Sequence, residues 1–182
     1  MKNILAFAGS NSSRSVNKQL LEHAEQRFKD QKITLINLPD FDAPIFSEDL
    51  EKEFGIPESI QKLREQFDSH DAYLIASPEH NGMMPAFFKN VMDWLSRMDG
   101  SVFQKKPVML MSASPGPRGG QTNLANMKAV FPHWGASAVF ADFFVGSFHQ
   151  TYDAGEKAFT NPDDEQRLLS AILDYEAHLA NE

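Results

Sequence analysis

The strongest constraint on this chain is its alternation of short apolar runs with stretches of helical period. Runs at Asn3–Gly9, Lys32–Leu38, Ala72–Ala76, Pro107–Met111 and Ala138–Val145 have the length and continuity of buried strands. Between them, Val16, Leu20, Ala24 and Phe28 recur at four-residue spacing. Ile60, Leu63 and Phe67 mark a helix over 57–70, and Phe88, Val91, Met92 and Leu95 mark another. Two more helices are expected, over 123–131 and over 163–180, the last with Leu168, Leu169, Ile172, Leu173 and Leu179 on its apolar face. Asp40–Gly55 and Phe148–Thr160 lack a clear period and read as a long surface loop and an irregular segment.

Five strand–helix alternations argue for a three-layer α/β fold, a parallel sheet covered by helices on both faces. Right-handed crossovers prune the topologies to a doubly wound sheet. The expected strand order is 2-1-3-4-5, which puts the switch point between the first and third strands. Neither repeats nor a linker divide the chain, so residues 1–182 read as a single domain.

Composition removes several classes of function. At 42% hydrophobic residues, with 15 Phe, the chain has enough apolar surface to bury a core and is not of a disordered class. It has no cysteine, so disulfides, thiolate metal sites and cysteine nucleophiles are impossible, and a reducing cytoplasm is the expected compartment. The apolar N-terminus is too short for a signal sequence and reads as a strand, and no stretch approaches a membrane span. The net charge is −8, and the Lys and Arg residues form no basic cluster of the kind nucleic acid requires. His23, His70, His133, His149 and His178 are scattered without metal-ligand spacing and read as surface or cap residues; Lys105–Lys106 reads as a solvated pair.

Three loops at strand ends carry the chemistry. Gly9-Ser10-Asn11-Ser12-Ser13-Arg14-Ser15-Val16-Asn17 offers four hydroxyls, two carboxamides and a guanidinium just before a helix. One hydroxyl, Ser15, suffices to cap that helix. The surplus suits an anion at a helix N-terminus. Neither a Walker loop nor G-x-G-x-x-G is present, so a phosphate held here fits the flavodoxin-like arrangement, with FMN at the switch point.

The second loop, Ser77-Pro78-Glu79-His80-Asn81-Gly82, ends the Ala72–Ala76 run and leads through Met83 and Met84 into the helix at Phe88. It is either an ordinary Asn-Gly turn or a shaped wall for a ligand. The third, Ser112–Gly120, has three glycines that allow backbone amides close to a flat ring, or it is simply a mobile loop.

Gly9-Ser10, Ser15 and Asn17, the Ser-Pro-Glu-His-Asn-Gly run, Lys89-Asn90, Asp93-Trp94, Lys106-Pro107 and Ser114-Pro-Gly…Gly119-Gly120 together resemble the NADPH-dependent FMN reductase family. That resemblance covers about two thirds of the chain. It implies a flavodoxin-like domain that binds FMN and takes hydride from NADPH or NADH, and the wider family includes quinone, azo-dye and chromate reductases. The implied cofactor-binding residues are Ser10, Ser12, Arg14, Ser15, Val16 and Asn17 around the phosphate. Pro78, Glu79, His80, Asn81 and Gly82 would follow along the ring and ribityl chain, with Met83 and Met84 shielding them. Ser114, Gly116, Gly119 and Gly120 would lie near the pyrimidine edge.

The family also implies a homodimer or homotetramer, and a small acceptor that takes the hydride from flavin N5 in a ping-pong cycle. No catalytic side chain or metal is expected, because the cofactor carries the chemistry. The sequence departs from the family at His80, where tyrosine is common, at Ser12 and at Ala86. A flavin-binding electron carrier and a scaffold without flavin are the rival readings. Arg118 is either a dinucleotide contact or a solvated loop residue.

Overall fold

The computed structural model describes residues 1–98 and 101–181. Five strands, β1 (Asn3–Ala8), β2 (Lys32–Leu35), β3 (Ala72–Ala76), β4 (Val108–Ala113) and β5 (Val139–Val145), form one sheet in the order β2-β1-β3-β4-β5. Every pairing is parallel. The expected topology and layer count are therefore found. Among the described residues, no helix is long and apolar enough to cross a membrane.

Both faces of the sheet are buried, and the alternation of side chains assigns each residue to a layer. Ile4, Ala6, Ala72, Leu74, Met109 and Met111 face α1 (Val16–Glu25) and α7 (Pro162–Ala180). Leu5, Phe7, Tyr73, Ile75, Val108 and Leu110 face α3 (Glu58–Asp68), α4 (Ala86–Leu95) and α5 (Gln121–Val130). A bulge between Met109 and Met111 gives β5 one extra residue. Ala141 therefore packs on the α3–α5 face while Phe143 packs on the α1–α7 face, and Asp142 stays exposed on an edge strand.

Several expectations need correction. The second strand ends at Leu35, not Leu38, because Pro39 starts a turn of 3₁₀ helix at Leu38–Phe41. The Asp40–Gly55 loop contains a helix, α2 (Glu48–Phe54), whose Ser47 cap accepts from Leu50 N–H at 3.1 Å. None of its residues is fully buried, so it has no apolar stripe to announce it. Asn90 and Trp94 of α4 pin the chain before it: Asn90 Nδ2 donates to Ala43 O and Pro44 O at 3.1 Å, and Trp94 Nε1 to Pro44 O at 2.7 Å. The first helix stops at Glu25, before Phe28.

In α7, Leu173 is 58% exposed, and Tyr175 takes its place in the core. The Tyr175 hydroxyl donates towards Tyr73 O and Pro107 O, both at 3.0 Å. Phe148–Thr160 is ordered as α6 (Phe148–Thr151) followed by a hairpin of β6 (Tyr152–Asp153) and β7 (Ala158–Phe159). Lys106 is not a solvated residue: its ammonium donates to Phe67 O at 2.6 Å and Asp68 O at 3.2 Å, closing the C-terminus of α3. Burial lowers its pKa, against the nearby Asp68 carboxylate.

Nor is His23 a surface residue. Its buried ring meets Lys157 O at 3.0 Å and Glu165 Oε2 at 2.7 Å, tying the hairpin and α7 to α1.

Candidate functional site

The loops after β1, β3 and β4 meet at the carboxyl end of the sheet, where β1 and β3 diverge. They enclose a cleft of about 330 Å³ lined by Ser10, Ser12, Arg14, Ser15, Val16, Asn17, Pro78, Glu79, His80 and Ser114, together with Ala113, Pro115 and His149. Ten of the fifteen residues expected to hold a cofactor thus share one cavity. The other five stand elsewhere.

The first loop starts at Gly9, where a side chain is sterically barred: a Cβ would sit 2.7 Å from the Phe88 ring of α4. Ser12 N–H then donates to Ser10 Oγ at 3.2 Å, and Arg14 N–H to Ser12 Oγ at 3.3 Å. These turns keep the hydroxyls on the cleft side and bring the chain to Ser15, which caps α1 by accepting from Lys18 N–H at 3.3 Å. Asn17 has a different occupation. Its buried carboxamide donates to Ala113 O and accepts from Ala113 N–H, both at 2.9 Å, and so clasps the first loop to the end of β4. Side-chain donors at the cleft therefore come from the exposed Ser12 and Arg14 and the half-buried Ser10, with the N–H groups of the first turn of α1 behind them.

The second loop is a tight reversal. His80 N–H donates to Met83 O at 2.8 Å and Met83 N–H to His80 O at 3.1 Å. Asn81 (φ 54°) and Gly82 (φ 80°) are both left-handed, which is the pattern of a type I′ turn and the reason for Asn-Gly. Asn81 lies round the corner from the cleft, in a cavity of about 410 Å³ shared with His80, Met83, Met84, Ala86 and Lys89.

Helix α5 holds this loop. Asn123 N–H donates to Glu79 Oε2 at 2.9 Å, Asn123 Nδ2 to Pro78 O at 2.9 Å, and Asn126 Nδ2 to Gly82 O at 2.9 Å. Glu79 thus places a carboxylate at the N-terminal turn of α5, where the helix dipole favours it. Asn123 and Asn126 are absent from the sequence-based set. Their only signal is a pair of carboxamides three apart, just after the Gly119-Gly120 pair.

Gly119 (φ 63°) and Gly120 (φ 81°) are buried away from the cleft lining. A Cβ on Gly120 would overlap Ser112 Oγ, and one on Gly119 would lie 2.9 Å from both the Phe144 ring and the Val145 backbone. Their placement accounts for a close packing of this loop on β4 and β5. Gly116 is exposed, and Ser114 Oγ donates to its carbonyl at 2.9 Å. Arg118 is exposed, with its guanidinium donating to Thr122 Oγ1 at 3.3 Å. His149, first read as a surface or cap residue, lines the cleft.

The lining cations are Arg14, with His80 and His149 when protonated, and the one acid, Glu79, is engaged by a backbone donor. In a chain of net charge −8, this cleft is a local concentration of donors and basic side chains. Among the described residues, no group of three or more His, Asp or Glu side chains is arranged to hold a metal ion.

A five-stranded parallel sheet of order 2-1-3-4-5, flanked by helices and with a donor-lined cleft at its switch point, has the flavodoxin-like fold. The sequence profile described as NADPH-dependent FMN reductase matches residues 2–150, and the chain belongs to that family. It stands among oxidoreductases that work with FMN and a nicotinamide dinucleotide.

A quinone reductase of Escherichia coli is 30% identical over 109 residues, 60% of this chain and 58% of that protein. An NAD(P)H-dependent FMN reductase of Pseudomonas aeruginosa is 34% identical over 114 residues, 62% of this chain and 60% of that protein. The match thus spans about three fifths of each relative. The solved flavoenzyme NAD(P)H:(acceptor) oxidoreductase of Paracoccus denitrificans superposes with a TM-score of 0.80 at 24% identity, covering 96% of this chain and 95% of that one, a likeness of fold.

Proposed function

We propose that this protein is an NAD(P)H-dependent FMN reductase of quinone-reductase type, reducing a small acceptor such as a free flavin, quinone, azo compound or oxyanion. The observation that carries this reading is the meeting of three loops around one cleft at the switch point, polar at the first loop and walled by Pro78–His80 and Ser114. Ser10, Ser12 and Arg14 would bind the FMN phosphate, assisted by the first-turn N–H groups of α1. Each hydrogen bond to that charge contributes roughly 1.5–3 kcal/mol, so a few offset the chain's overall negative balance. Pro78, Glu79 and His80 would lie along the ring and ribityl chain. Gly116, Gly119 and Gly120 would set the course of the loop at the pyrimidine edge.

When bound, FMN supplies the two-electron chemistry, taking hydride from NADH or NADPH and delivering it to the acceptor. The protein's part would be to orient the reactants and to exclude competing reactions. Donor and acceptor would use the open face beside His80 in turn, a ping-pong order. The exposed apolar surface at Met83, 57% exposed, and the cavity it shares with Met84 and Ala86 would pack against a second copy in a homodimer or homotetramer. A cytoplasmic location fits the absence of cysteine.

The test is direct. Purified protein should show a flavin spectrum and oxidise NADPH or NADH steadily when quinone, azo dye or free flavin is added. FMN-loaded protein that oxidises neither dinucleotide with any of these acceptors would defeat the proposal.

A further inference from the structure

The segment after β5 brings a fourth wall to the cleft. Ser147 N–H donates to Gly116 O at 2.8 Å, and Phe148 N–H to Ser114 O at 3.1 Å, so the start of α6 is tied by its backbone to the third loop. Gly146 allows this approach, since a Cβ there would overlap the Pro117 carbonyl. Ser147 accepts a left-handed φ of 50° to enter the turn. Phe148 anchors α6: it is buried, with its ring 4.8 Å from that of Tyr152.

With Phe148 turned inward, the next residue, His149, is exposed. It lines the cleft together with Ser10, Ser12 and Arg14, and it also lines an adjoining depression together with Gln19. Gln19 is the fourth residue of α1. Sharing one cavity with Ser10–Asn17 and a second with Gln19 puts His149 on the side of the cleft that adjoins the first turns of α1.

We propose that His149 is a further anion-binding residue of this cleft, donating from its imidazolium to the phosphate of an FMN seated on Ser10–Asn17. The proposal rests on the flavin reading above. Charged groups face His149 from each surrounding element: Arg14 from the first loop, Glu79 and His80 from the second, and Asp153 from β6, while the third loop contributes only Ser114 and Pro115. Both acids are engaged by backbone donors. Glu79 Oε2 accepts from Asn123 N–H at 2.9 Å, and Asp153 Oδ1 accepts from Gly155 N–H and Glu156 N–H at 2.8 and 3.0 Å. The phosphate is then the anion to which the imidazolium answers. The phosphate has its own second ionisation near pH 6, so the informative quantity is the difference between two proteins at one pH.

The experiment measures Kd for FMN and for riboflavin by flavin fluorescence. It compares the wild type with His149→Gln, which keeps size and a neutral donor, and with His133→Gln, an exposed histidine outside the cleft. His149→Gln should weaken FMN binding about five- to tenfold near pH 6. Riboflavin affinity and the His133→Gln protein should not change. Equal FMN affinity of wild type and His149→Gln near pH 6, or equal losses for FMN and riboflavin, overturns the role of His149 and leaves the flavin reading intact. A wild type that takes up no FMN overturns both.

Discussion

Asn17→Ala separates two roles that one residue can have in this cleft. Family resemblance makes Asn17 a phosphate contact, whereas its carboxamide is clasped to the Ala113 backbone by two bonds of 2.9 Å. Both residues are 1% exposed, so truncation leaves a buried N–H and a buried C=O without partners. Each such orphan costs about 1–3 kcal/mol, giving about 2–6 kcal/mol for the pair. With a urea dependence of about 2 kcal/mol per molar, the unfolding midpoint of the apoprotein should fall by about 1–3 M. Asn17→Asp keeps the acceptor for Ala113 N–H but sets a carboxylate against Ala113 O. It should destabilise as well, and should reject phosphate more than the alanine variant does. The assay is urea unfolding followed by far-UV circular dichroism, with FMN affinity measured in parallel. An Asn17→Ala protein with wild-type stability and lost FMN binding would refute the clasp and restore Asn17 as a direct ligand contact.

Gly120→Ala should destabilise by at least about 2 kcal/mol, from a left-handed φ and the overlap with Ser112 Oγ. In a Ser112→Ala background the cost should shrink towards the backbone part alone; an unchanged cost in a double-mutant cycle would show that the overlap is not the cause. A Ser10→Ala/Ser15→Ala protein should bind FMN about tenfold or more weakly, and should lose about 1 kcal/mol of stability with the Ser15 cap; unchanged FMN affinity would displace the cradle from this loop.

Burial opposes the charge on Glu165, but hydrogen bonds from Arg27 and His23 outweigh it and hold its pKa below the usual carboxylate value. A lowered folded pKa contributes stability above the unfolded value of about 4.3, and that contribution disappears as pH falls through the folded one. Glu165→Gln should therefore cost about 1 kcal/mol at neutral pH and progressively less below about pH 4, read from urea midpoints; a pH-independent difference would refute the assignment.

Much of the architecture was legible because it rests on short-range periods. Ile4–Ala8 and Ala72–Ala76 alternate between two buried layers, so they read as continuous apolar runs. The Asn81-Gly82 pair announced a turn whose two left-handed residues few other pairs tolerate. Helix α2 escaped notice because it has no fully buried face, and Leu173 was misassigned because a leucine-rich helix offers more apolar residues than the sheet can cover.

The sequence alone determined the layered parallel sheet, the position of its switch point and the presence of a donor-rich loop there. Tertiary structure decided which of those donors face the cleft. Asn17 is claimed by a residue 96 positions away, Glu79 by the N-terminus of α5, and His149 enters from a segment that had no visible period. The physical reason is range: periodicity records how each element buries its own face. The partner of a buried polar group, by contrast, depends on which strand ends the fold brings together, and a linear pattern of residue types does not encode that.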